Sequence, residues 1–134
     1  MSATQSGAKS GARLLPASAE PFHPHAAAPV TKIDRIEGVP MAAAVELRTG
    51  VVTPTMSLVE VFWPKDSSSR PHVHPDHDSV VYVVRGRLRM HVADRAFDAG
   101  PGDSLAHLPG VEHWIEALED SVTIEVKSPP IRTW

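Results

Sequence analysis

Five of the eight histidines in this 134-residue chain fall in two short clusters, His72-Val73-His74-Pro75-Asp76-His77 and His107-Leu108-Pro109-Gly110-Val111-Glu112-His113. Each cluster adjoins β-type sequence. Histidines two apart on an extended chain project from the same face, about 6.5 to 7 Å apart along the backbone. His72 and His74 can therefore converge on one metal ion, whereas on a helix they would point to nearly opposite sides. The pattern predicts a His-x-His clamp with His113 as a third ligand. With no cysteine in the chain, any ion must be held by histidine, carboxylate or water.

Such a clamp needs strands to hold it, and from Val30 onward the chain reads as short strand-like runs between turn residues. The runs are Val30–Ile36, Met41–Arg48, Thr55–Trp63, Ser79–Val84, Leu88–Ala93, Ser104–Leu108, Glu112–Leu118 and Val122–Lys127. Ser79–Val84, β-branched and aromatic, is the strongest. Arg85-Gly86 and Asp94-Arg95 read as turns, and Pro64–Pro71 and Asp98–Asp103 as loops. No helical period appears. Many short strands at roughly 8–12-residue spacing predict an all-β sandwich or barrel. Residues 1–29, rich in Ala, Ser, Gly and Pro, read as a flexible or late-docking arm ahead of one domain at 30–134.

Composition narrows the partners. A net charge of −3 and a pI near 6.2 give no electrostatic reason to expect nucleic acid or an anionic membrane. No apolar run is long enough to span a bilayer. Residues Met1 to Arg13 lack the apolar stretch of a secretory signal, so a cytoplasmic location is the expectation.

The histidine and glycine spacing resembles that of the cupins. His72, His74 and Gly86 match the first cupin motif, with Tyr82-Val83-Val84 as the strand before its glycine. Gly102, Gly110 and His113 match the second, with Leu108 where a proline is usual and Pro109 displaced by one. The resemblance implies a jelly-roll β-barrel, a metal inside it, and a homodimer; strands apolar on both faces, such as Ser79–Val84, agree with the last. It also exposes a departure: the position where cupins usually carry glutamate is Ser79, whose hydroxyl is a poor ligand. His77 shares strand parity with it and is the favoured substitute, giving four neutral imidazoles. Asp78 would reach the ion only if the strand opened on a bulge, and water is the third option. A histidine-only centre keeps the ion's full charge and makes it a stronger Lewis acid.

The expected cofactor is thus one divalent transition metal, zinc, iron or nickel, held by His72, His74, His113 and His77. His107 and Asp78 are the candidate proton-moving groups, His107 as a shuttle near neutral pH or a packing residue. Val81, Val83, Leu105 and Ile115 are expected to line the pocket. His91 should face solvent with Arg87 and Arg89, while Arg85, Arg87 and Arg89 could line an entrance. His23 and His25 are incidental to the arm, and Leu14-Leu15 could extend a dimer interface. Trp63, Trp114 and Trp134 read as wall or dimer-packing residues rather than a substrate platform, Trp114 being notable for adjoining a ligand. The favoured chemistry is Lewis-acid cyclisation, isomerisation or dehydration of a small carbonyl-rich molecule, loosely like the small cupin cyclases of aromatic polyketide pathways. A three-histidine Fe(II) dioxygenase and a non-catalytic ligand-binding cupin are the alternatives.

Overall fold

The computed structural model describes residues 13–134. They form nine strands: β1 Val30–Ile36, β2 Val39–Val52, β3 Ser57–Trp63, β4 Asp78–Arg85, β5 Leu88–Val92, β6 Arg95–Ala99, β7 Ser104–His107, β8 His113–Ala117 and β9 Ser121–Ser128. Two antiparallel sheets result, ordered β1-β2-β3-β9-β4-β7 and β6-β5-β8. Strict alternation along β3 and β4 buries every second side chain, as a pleated strand with one covered face requires. The buried set from both sheets makes a single core, including Val45, Val59, Val61, Val81, Val83, Leu88, Met90 and Ile115. This is the jelly-roll arrangement of two packed sheets. Each such side chain contributes roughly 1.5–3 kcal/mol through burial.

Two details depart from the sequence expectations, and the structure also places the arm. β6 lies where a turn and a loop were expected, because the β5–β6 hairpin turns one residue early: Val92 pairs with Arg95 across Ala93-Asp94, with Ala93 at φ 53°. The stretch Pro64–Pro71 is also no free loop. The Asp66 and Ser69 N–H groups donate to the Ala117 and Ile115 carbonyls, and Ala117 N–H donates to Ser67, so this stretch runs along β8. Residues 13–29 lie on the barrel: Leu15 N–H donates to Pro130 O, Ser18 N–H to Val52 O, and Leu14 bridges Ile131. Leu14 and Leu15 therefore pair with the C-terminal segment of their own chain. The tail reading for residues 1–12 falls outside the described residues.

Gly86 turns the chain from β4 to β5 at φ +93°, and a Cβ there would sit 2.1 Å from Ser121 Oγ and 2.6 Å from Asp120 O. Only glycine fits. Among the described residues no helix is long and apolar enough to cross a membrane.

Candidate metal centre

His72 and His74 stand on an extended segment flanked by Pro71 and Pro75. Proline has no N–H to donate and ends a ladder, so the clamp is not part of a regular strand. It is fixed instead by a single antiparallel bridge. His72 N–H donates to His113 O at 3.2 Å, His113 N–H to His72 O at 3.0 Å, and Gly110 N–H to His74 O at 2.9 Å. Three backbone bonds thus lace the two histidine clusters together. Alternation then turns His72, His74 and His113 inward, where all three are buried.

The ring nitrogens are oriented from behind. His72 Nδ1 donates to Arg70 O at 2.7 Å, His113 Nδ1 to Val111 O at 3.1 Å, His74 Nδ1 to Glu37 Oε2 at 2.8 Å, and His77 Nδ1 to Asp76 Oδ1 at 3.0 Å. All four partners are acceptors only, so each neutral ring keeps its lone pair on Nε2. The ligating atoms of His72, His74 and His113 lie within 4.8 Å of one another, and His74 Nε2 faces His113 Nε2 at 3.1 Å. Two opposed lone pairs at that distance repel unless a cation lies between them. These three histidines could hold a metal, as in cupins, and imidazoles that donate their other N–H to an acceptor behind them are how metal-ligating histidines are set. His77 is buried beside them, its ring 4.4 Å from that of His74, with Nε2 unmatched. It shares a second cluster with Glu37 and His74 rather than the three-histidine one.

Glu37 was not legible as a site residue. It occupies the first position of the two-residue turn from β1 to β2, at φ 52°, followed by Gly38 at φ 77°. Asn, Asp or Gly is the usual choice at that position, and a glutamate there bears a backbone cost of about 1–2 kcal/mol. Its carboxylate reaches His74, which gives the strained position a use.

Opposite the histidines, β9 contributes polar residues to the interior. Its sequence alternates Ser121, Thr123, Glu125, Lys127 with Val122, Ile124, Val126, and the polar set is the one turned in: Ser121, Thr123 and Lys127 are buried. Register places Lys127 between Ser57 on β3 and Ser79 on β4, and Ser79 beside His107 on β7. Lys127 Nζ lies 3.2 Å from Glu125 Oε1 and 3.5 Å from Ser79 Oγ. An ammonium thus stands where the usual carboxylate is missing. Both Glu125 and Lys127 line the histidine cavity, with Ile33, Leu47, Trp63, Ile115 and Trp134 among its apolar walls.

Burial disfavours the charged form throughout this cluster. Desolvation, reinforced by Lys127 and by the neighbouring rings, pushes His74 far below the usual histidine range. Desolvation and then His113 push His107 down to about 2. Desolvation takes His113 down to about 4 against the opposing Val111 carbonyl, and also lowers His72 and His77. His107 stacks on His113, centroids 3.7 Å apart, and its Nε2 has no partner among the described residues. Its burial disfavours the protonated ring, which counts against a shuttle titrating near neutral pH.

Other expected site residues lie elsewhere. Asp78 begins β4 on the outward parity and is exposed. Its pairing with Ser128 is regular, and the irregularity in β4 falls at the far end, between Val83 and Arg85. The bulge that would have turned its carboxylate inward is absent, so Asp78 leaves the site. Ile115 lines the cavity, but Val81 and Val83 are packed in the core and Leu105 lies against it. Trp63 and Trp134 form walls of the cavity, as expected, and also pack with the core. Trp114 stacks on His91, centroids 4.1 Å apart, away from the cavity, and His91 bonds Glu116. Arg85, Arg87 and Arg89 are exposed and do not line the cavity.

The cupin domain signature matches residues 58–126, just over half of the chain. The chain belongs to the cupin family. Solved cupin-like structures superpose on most of it. KdgF from Halomonas sp. is 23% identical, covering 82% of this chain and 94% of its own, with a TM-score of 0.71. An RmlC-like cupin from Shewanella frigidimarina is 21% identical, covering 83% and 92%, also at 0.71. A predicted oxalate decarboxylase from Thermotoga maritima is 17% identical, covering 81% and 98%, at 0.70. At these identities the likeness establishes the fold alone. None of the three is described as a polyketide cyclase. No curated protein matches this sequence.

Proposed function

We propose that this cupin is a metal-dependent enzyme that isomerises, dehydrates or cyclises a small carbonyl-bearing molecule. The observation that carries the reading is the cavity's two-sided chemistry: three Nε2 lone pairs converge on one wall, and a Glu125–Lys127 pair lines the same cavity. His72, His74 and His113 would hold a divalent ion, which would supply Lewis acidity toward a carbonyl. The chain's own groups do the rest. Glu125 Oε2 accepts a proton from the carbon beside the carbonyl and returns it at a neighbouring atom. The Lys127 ammonium offsets the Glu125 charge and has an N–H beyond the two given to Glu125 and Ser79, which orients a substrate oxygen. His107 Nε2 accepts from a substrate hydroxyl. The apolar walls exclude water from the reacting atoms.

Elemental analysis of the untagged protein, followed by anaerobic solvent-deuterium incorporation into a panel of small ketones, hydroxyketones and keto acids, tests this. Zinc or nickel with anaerobic exchange that Glu125→Gln abolishes supports the reading. Iron with oxygen consumption and no exchange overturns it in favour of a dioxygenase, and no turnover with retained ligand binding favours a binding module. The same reading takes the protein as a homodimer. Its support is the outward row Val80, Tyr82 and Val84, each about half exposed, and sedimentation equilibrium is the check.

A further inference from the structure

Arg13, from the segment ahead of the first strand, reaches the back of the histidine cluster. Its Nη2 lies 2.6 Å from Glu37 Oε1 and its Nη1 3.0 Å from Asp76 Oδ2. Each of those carboxylates gives its other oxygen to a histidine, Glu37 Oε2 to His74 Nδ1 and Asp76 Oδ1 to His77 Nδ1. One guanidinium therefore holds two carboxylates that in turn aim two imidazoles. The network is mostly sheltered, with side-chain exposures of 16% for Arg13, 11% for Glu37 and 20% for Asp76. The forked geometry matters: a planar guanidinium can span two carboxylates, whereas a lysine ammonium is a single point of charge. The backbone on either side ties Arg13 to the C-terminal segment: Arg132 N–H donates to Arg13 O at 2.8 Å, and Leu15 N–H donates to Pro130 O at 2.9 Å.

We infer that Arg13 is a positioning residue for the metal centre, so that metal binding and docking of the N-terminal segment are coupled. The inference rests on the metal-centre reading above. An ion drawing on the His74 lone pair strengthens the Nδ1–H bond to Glu37. That favours the oriented carboxylate and the Arg13 contact that orients it. Coupling between two equilibria is reciprocal: docking of the segment raises metal affinity, and metal secures the segment by the same factor.

The test uses the full, untagged, metal-free chain and Co(II) as probe. Visible-band titration is expected to give Arg13→Ala an affinity about tenfold below that of the unaltered chain, at the lower end of the range for groups behind metal ligands. Arg13→Lys should recover only part of it. In the unaltered chain, adding Co(II) should slow hydrogen exchange at the Leu15 and Arg132 amides. Equal Co(II) affinity in Arg13→Ala and the unaltered chain, or exchange at Leu15 and Arg132 indifferent to metal, overturns the coupling and leaves the metal centre standing. If the unaltered chain takes up no Co(II), the metal centre and the coupling fall together. Because the exchange measurement needs no substitution, a poorly folding variant does not shield the inference.

Discussion

His72 and His113, from opposite ends of the two histidine clusters, exchange both backbone hydrogen bonds, at 3.2 and 3.0 Å. Their rings then meet edge-on with centroids 4.4 Å apart. The spacing of two candidate ligands is thus set by backbone geometry rather than by flexible side chains, and little ordering remains to oppose metal capture. Replacing His72, His74 or His113 with Ala is expected to reduce bound metal at least 10-fold, read by elemental analysis after gel filtration. His107→Ala should keep its metal, since His107 stands outside the three-histidine cluster. Full metal retention in His74→Ala would place the ion elsewhere.

Glu37 allows stability and metal affinity to be separated. Asn tolerates a positive φ better than Glu, so Glu37→Asn relieves backbone strain while removing the carboxylate behind His74. Urea unfolding of the metal-free variant should stay within about 1 kcal/mol of the unaltered chain. Metal affinity should fall about 10- to 100-fold. Parallel loss of both would mean that Glu37 serves the fold rather than the centre.

Acid should unfold the metal-free protein through its buried histidines. An unfolded histidine takes up its proton below about pH 6.5. His107 and His113 stay neutral in the folded state until about 2 and about 4. The unfolded state therefore binds more protons below pH 6.5, and stability falls as pH falls. Above that pH neither state is protonated and the penalty vanishes. Each such histidine contributes about 1.4 kcal/mol per pH unit, with His113 ceasing to contribute near pH 4. Urea midpoints at pH 7.5, 6 and 5, pH values chosen on roughly either side of the histidine range, should drop in that order; a flat profile would show these rings to be solvated.

Gly86→Ala combines a left-handed backbone with a Cβ 2.1 Å from Ser121 Oγ. Strain and overpacking together should cost about 2–4 kcal/mol, seen as a lowered urea midpoint. Ser121→Ala should recover only part of this, because the Asp120 carbonyl and the Ser121 backbone remain at 2.6 Å. A stable Gly86→Ala would mean that the β4–β5 turn can rearrange.

Much of the site was readable from spacing. His-x-His, the glycine at 86 and the later Gly-Gly-His pattern fix residue types at intervals that local backbone periodicity translates directly into shared faces, and they named the family as well as the three central histidines. Spacing could not supply the partners behind them. Arg13, Glu37 and Asp76 come from three separate segments, and nothing local signals that a turn glutamate or an arm arginine will arrive behind an imidazole. Nor could pattern decide which face of β9 is interior. By hydrophobicity alone Val122, Ile124 and Val126 belong inside. The register between β3 and β4 instead turns Glu125 and Lys127 into the cavity, a local rule broken where a site requires it. The sequence by itself determined the histidine clamp, because two-residue periodicity is a property of the chain. Only the tertiary structure decided the charges facing that clamp, because strand register and the docking of a distant segment are settled by the whole fold.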